Sequence, residues 1–177
     1  MKMLKKLLAV VLTGAMALTL LTACGGNAVT EKGIADAMNE MAKATEVNVT
    51  FTPQAKEREM AREIAALLEG KATDEGSNDA IKKILDYDQG GANAGNFVWW
   101  GKAPVDKIGT SGQAFSFWYY TSNPDNAENH SNLTNKTPAD DRNMGTALCK
   151  MSDDDGNLVT WRVIVVTAKA EEDKDKG

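Results

Sequence analysis

The chain has 177 residues, with 20 lysines and arginines against 25 aspartates and glutamates, one histidine and two cysteines. A net charge of −5 excludes the broad basic face that nucleic acid needs. One histidine excludes zinc sites built on a His pair, and two cysteines exclude a framework of several disulfides.

The first element is apolar. Lys2, Lys5 and Lys6 form a basic start, and Leu7 to Leu21 follow without a charge. A basic start, a short apolar core and a small-residue exit predict a secretory signal. The apolar run falls short of the ~20 residues that a membrane-crossing helix needs. The exit reads Leu21-Thr22-Ala23-Cys24-Gly25-Gly26. It resembles a lipobox, the cleavage motif of bacterial lipoproteins. That resemblance implies cleavage before Cys24, acylation of its thiol, and attachment to the outer face of a cell membrane through the acyl chains. Removing residues 1–23 takes away three lysines and no acid, so 17 basic residues face 25 acidic ones in the mature chain. So acidic a chain is not drawn to anionic lipid, and attachment falls to the acyl chains. With Cys24 acylated, Cys149 has no partner for a disulfide. Its apolar surroundings predict a buried structural thiol.

Residues 24–30 read as a lipidated spacer. Ile34, Met38, Met41 and Ala42 lie at i, i+4, i+7 and i+8, which predicts a helix over Glu31–Ala44. Val47–Phe51 alternates as an extended segment does. Thr52-Pro53 predicts a helix start, with Thr as cap and Pro at the first helical position. Met60, Ile64, Leu67 and Leu68 form that helix's buried stripe, and Gly70 ends it. Lys56, Glu57, Arg58, Glu59, Arg62 and Glu63 are assigned to its solvated face. Ser77 or Asn78 is expected to cap a short helix from Asp79 to about Tyr87.

Gly90–Asn96 reads as a loop, and Phe97–Trp100 as a buried extended segment closed by Gly101. A further helix is expected over Ser111–Tyr120. Asn123–Asp141 is polar and rich in Asn, Asp, Thr and Pro, which predicts a long surface loop. Met144–Met151 and Leu158–Lys169 predict two strands joined through an Asp-Gly turn. Trp161, Val163 and Val165 share one face of the second strand, and Arg162, Ile164 and Val166 the other. Apolar residues on both faces predict a central strand. Residues 170–177 read as a charged tail. Helices first and strands last point to an α+β class.

Candidate chemistry is sparse. Placing Gly156 at the sixth position of a calcium loop puts Met151 at the first, so the pattern fails. His130, beside Glu128, is the one candidate for general acid–base work. No Gly-x-Ser-x-Gly elbow occurs, and the glycine-rich run at 90–96 lacks the lysine of a phosphate loop.

Several short segments, in order, resemble the bacterial CAP domain of the cysteine-rich secretory, antigen 5 and pathogenesis-related (SCP-like) superfamily. They are Val49-Thr50-Phe51-Thr52-Pro53, Ala94-Gly95-Asn96-Phe97-Val98-Trp99-Trp100-Gly101, Ala114-Phe115-Ser116-Phe117-Trp118-Tyr119-Tyr120-Thr121, His130-Ser131-Asn132-Leu133 and Met144-Gly145-Thr146-Ala147. The resemblance spans about residues 31–169. It implies a three-layer α-β-α sandwich with the closing hairpin in the central sheet. It also implies a cleft near Asn96, Trp99, Trp118, Glu128 and His130. The family's cleft uses two His and two Glu. Here Gly95 stands where one Glu would be, and a second His does not exist. The resemblance therefore implies a degenerate cleft without metal or cofactor, in a module that binds an envelope ligand or protein. The alternative is an envelope hydrolase using His130 with a nearby carboxylate.

Overall fold

The computed structural model describes residues 30–72, 78–122, 133–134 and 136–171. Its elements in chain order are α1 (Glu31–Ala44), β1 (Thr50–Pro53), α2 (Ala55–Leu68), α3 (Asn78–Leu85), β2 (Phe97–Pro104), α4 (Val105–Ser122), β3 (Pro138–Ser152) and β4 (Leu158–Ala170). The class is α+β, with four helices and one four-stranded mixed sheet of order β1-β3-β4-β2 among the described residues. β1 runs parallel to β3, and β4 is antiparallel to both β3 and β2. β4 is thus central, as its two apolar faces predict.

The alternation of β4 divides the core. Ile164, Val166 and Ala168 join Phe97, Trp99, Met144 and the buried faces of α1 and α4. Val163 and Val165 point the other way and pack with Val98, Cys149, Met151, α2 and α3. Strand side chains alternate between faces, so one sheet supports both cores. The helices of residues 31–44 and 55–68 therefore cover opposite faces.

Local chemistry fixes the helix starts. Thr30 caps α1 by accepting from the Gly33 N–H at 3.1 Å. Thr52 and Pro53 do not open α2 as the sequence predicts; they end β1, paired with Asn143 and Met144. Pro53 suits that terminal position, and Gln54 continues the pairing by donating to the Met144 carbonyl at 2.8 Å. Gln54 is then the N-cap of α2, without a side-chain cap bond. Glu57 is also not solvated: it is 2% exposed and accepts from the Thr167 hydroxyl at 2.6 Å. Gly145 lies under this turn, and a Cβ there would collide with the backbone of Glu57 and Arg58.

α4 begins earlier than Ser111. It starts directly after β2 and breaks at Gly109, whose φ of 60° and ψ of −175° are non-helical. Only glycine takes that conformation without strain. β2 likewise runs on past Gly101 to Pro104, and β3 starts at Pro138, inside the stretch expected to be loop.

α1 closes the outer edge of the sheet. Asn39 donates to the Phe51 carbonyl at 3.0 Å and accepts from the Phe51 N–H at 2.7 Å. One side-chain amide thus satisfies both outward groups of β1's central residue.

Candidate functional site

The sequence-predicted site residues divide into three groups. Cys24, Leu21, Thr22, Ala23, Glu128 and His130 lie outside the described residues. Trp99 and Trp118 are core residues, 3% and 5% exposed, with Trp99 edge-on to Phe117 at 6.4 Å. Asn96 is half-buried at the start of β2. The structure thus brings Trp99 and Trp118 into one core and leaves Asn96 at its rim.

The loop before Asn96 is held by Asn93, which is 1% exposed. Asn93 donates to the Leu85 carbonyl at 2.6 Å and accepts from Lys56 Nζ at 2.6 Å. This fixes the entry of β2 against the ends of α2 and α3.

The same end of the α1/α4 face holds a polar feature that the sequence reading missed. Phe97, Ala168 and Arg142 form one row across β2, β4 and β3. The register between β3 and β4 shifts between Pro138 and Arg142, an irregularity that bends the strand just before Arg142. Arg142 is 3% exposed. Its Nε donates to the Ala139 carbonyl at 3.3 Å, and its guanidinium sits 5.8 Å from the centre of the Phe51 ring. Burial pushes its pKa down to about 10, against the attraction of Asp140 and Glu171. The group is therefore still charged at neutral pH.

α4 follows β2 directly and places Trp118 in the core that Phe97 and Ala168 share, with Ser122 buried at its last position. Trp118 Nε1, Ser122 Oγ and Arg142 NH1 are buried, and none has a hydrogen-bond partner among the described residues. Trp161 Nε1, on the opposite face, is also without one. Each is a buried donor left unsatisfied, and that of Arg142 is cationic. Exposed Tyr119 stacks on Phe115 at 6.0 Å on the outer side of α4.

A second polar cluster is saturated by contrast. Arg162, 4% exposed, donates to Gln113 Oε1 at 2.9 Å and to Thr146 Oγ1 at 3.1 Å. Burial lowers its pKa, and Glu31 raises it. Glu31 also takes a two-pronged bond from Arg58 and accepts from the Thr146 N–H at 2.8 Å. These contacts complete the sheet where β1 stops, so the cluster is structural.

Beyond β1 the edge of β3 adjoins a shallow groove of about 400 Å³ lined by Arg62, Ala65, Ala66, Glu69, Ala147 and Leu148. Glu69 accepts from the Lys150 N–H at 2.9 Å, as Glu31 does from Thr146. An incoming strand would have to displace both carboxylates, which protects this edge against strand addition.

Cys149 is buried, and burial raises its pKa to about 11, so its thiol is unreactive at neutral pH. No group of three or more metal-ligating side chains occurs among the described residues. None of their helices is long and apolar enough to cross a membrane. Comparisons with family models, with curated proteins and with solved structures found no match.

Proposed function

We propose that this chain is a membrane-anchored lipoprotein, displayed outside the cell, whose domain binds a ligand or partner rather than transforming one. The observation that carries the anchor is Leu21-Thr22-Ala23-Cys24 at the exit of a basic, then apolar, N-terminal segment. Two or more acyl chains, at ~0.8 kcal/mol per buried methylene, hold a protein stably on a bilayer. The CAP-like sandwich belongs to the same proposal. Its support is the order of the quoted segments and the presence of helices on both faces of the sheet.

Binding is favoured over catalysis because the chain lacks the second His and one cleft Glu of the better-equipped CAP domains. The binding end is the one holding Asn96, Trp118, Ser122 and Arg142. Buried donors facing no acceptor favour a ligand bearing carboxylate or phosphate groups. The test is a ligand screen on residues 27–177 with lipids, glycans and peptidoglycan fragments, repeated on Arg142→Met and His130→Ala. The proposal expects an acidic fragment to raise the melting temperature of the parent and of neither or only one variant. Equal stabilisation of all three proteins would remove this end from consideration. Turnover of a fragment would refute the non-catalytic reading.

A further inference from the structure

The outer edge of β3 is closed in pieces. β1 pairs with residues 141–144, and Gln54 donates to the Met144 carbonyl. Beyond that point, Glu31 accepts from the Thr146 N–H and Glu69 from the Lys150 N–H. Gly70 then donates to the Lys150 carbonyl, and Ser152 donates to the Lys71 carbonyl, both at 2.8 Å. The even-numbered residues of β3 thus turn their backbone groups away from β4. Leu148 lies between the two carboxylates. By the same alternation its N–H and C=O face outward, and neither has a partner among the described residues. Its side chain is 49% exposed, beside the groove formed with Arg62, Ala65, Ala66, Glu69 and Ala147. The edge therefore has a gap one residue long.

The chain enters the fold beside this gap. α1 begins at Glu31, at the level of Thr146, and its Asn39 bonds both backbone groups of Phe51. Phe51 is paired with Arg142. α1 therefore runs back along β3, from the level of Thr146 to that of Arg142. Continued backward from Glu31, the same path leads to Leu148. Thr30 has extended backbone angles, φ −70° and ψ 152°, as a residue leaving a strand for a helix does. Leu148 lies two strand residues beyond Thr146, about 7 Å. Two or three extended residues cover that distance, which brings Ala28 or Val29 level with Leu148.

We infer that Asn27–Val29 form a short edge strand, antiparallel to β3, that closes this gap. One of the three exchanges both backbone hydrogen bonds with Leu148, as opposed residues of an antiparallel pair do. The occupant is this segment because it is already tethered beside the gap. It also suits the site, since Ala65, Ala66 and Ala147 leave room for a backbone with small, uncharged side chains. Glu31 and Glu69 hold the neighbouring N–H groups, which limits the added strand to this position. Pairing here removes an open position from the sheet edge and leaves Gly25 and Gly26 as the link to Cys24. The inference holds whether or not Cys24 is acylated.

The test follows amide hydrogen exchange by NMR, residue by residue, on the full chain in detergent micelles. The comparison is a variant carrying Asn27→Pro, Ala28→Pro and Val29→Pro, which has no N–H groups to offer Leu148. The Leu148 amide should exchange at least about tenfold more slowly in the parent than in the variant. The amides of Lys150 and Val163 should be unchanged, which shows that the variant keeps the fold. In the parent, the Leu148 methyl groups should also give Overhauser contacts to residues 27–29. Free exchange of Leu148 in the parent, or equal protection in both proteins, would overturn the inference. Protection that grows with protein concentration would overturn it as well, by assigning the gap to a second copy. None of these results bears on the anchor, which is read separately from the mass of the N-terminal peptide.

Discussion

Replacing Arg142 by methionine should make the protein more stable and less able to bind. Arg142 is 3% exposed, and burial holds its pKa down at about 10, well below the ordinary guanidinium value. That difference corresponds to roughly 3 kcal/mol against the charged form at neutral pH. The substitution loses the Nε bond to the Ala139 carbonyl, at about 1 kcal/mol, and the guanidinium over Phe51, at about 0.5 to 1 kcal/mol. Methionine still packs on the ring. The net expectation is a gain of about 1 to 2 kcal/mol, as when buried charges give way to apolar side chains. Urea unfolding at pH 7 should show a higher midpoint with an unchanged slope.

The pH dependence has a definite sign. The folded-state pKa lies below the unfolded one, so in the window from about pH 10 up to the ordinary guanidinium pKa the unfolded chain holds more protons at this group. The penalty is constant below that window and fades as pH rises through it. The advantage of Arg142→Met should shrink accordingly. A loss of more than 1 kcal/mol at neutral pH would refute the reasoning, because it would mean that the guanidinium has a stabilising ionic partner.

Three further substitutions probe the frame. Glu31→Ala removes the acceptor of the Thr146 N–H and the carboxylate near buried Arg162, and should cost about 3 kcal/mol in urea unfolding; a change under 1 kcal/mol would contradict the structural role given to this cluster. Gly145→Ala drives a methyl group into the Glu57–Arg58 backbone and should cost about 3 kcal/mol, seen as a lower melting temperature. Burial raises the Cys149 thiol to about 11 from 9.0, so the stability this group contributes is complete below pH 9 and is lost as pH rises to about 11. Cys149→Ala should flatten the stability profile in that window, which alkaline urea titrations of both proteins will show.

Much of the frame was legible in the sequence because periodicity reports burial directly. The stripe Ile34, Met38, Met41, Ala42 located α1 to its observed ends, and the two-faced apolar pattern of residues 158–169 identified the central strand. Misreadings arose where tertiary pairing overrode local preference. Thr52-Pro53 has the chemistry of a helix start, yet parallel pairing with β3 draws it into β1. Glu57 sits in a charge run that looks solvated, and only the fold brings Thr167 to it across 110 residues.

The candidate site was the least legible part. Trp99 and Trp118 were expected to line a cleft, but large aromatic rings on a central strand and its crossing helix serve the core first. Arg142 lay at the border of a stretch expected to be polar loop. Nothing in its neighbours Asp140, Asp141 and Asn143 signals burial. Its position became visible only with the strand register, which places it opposite Phe51 on one side and Ala168 on the other.

The proposed anchor requires that Cys24 be acylated and that the domain be held at a membrane. The most direct test is the mass of the N-terminal peptide of the protein expressed in a bacterium and extracted from its membranes. The expected result is a peptide beginning at Cys24 and carrying a diacylglyceryl group, absent from a Cys24→Ser variant. A peptide that retains residues 1–23, or one that begins elsewhere without lipid, would contradict it.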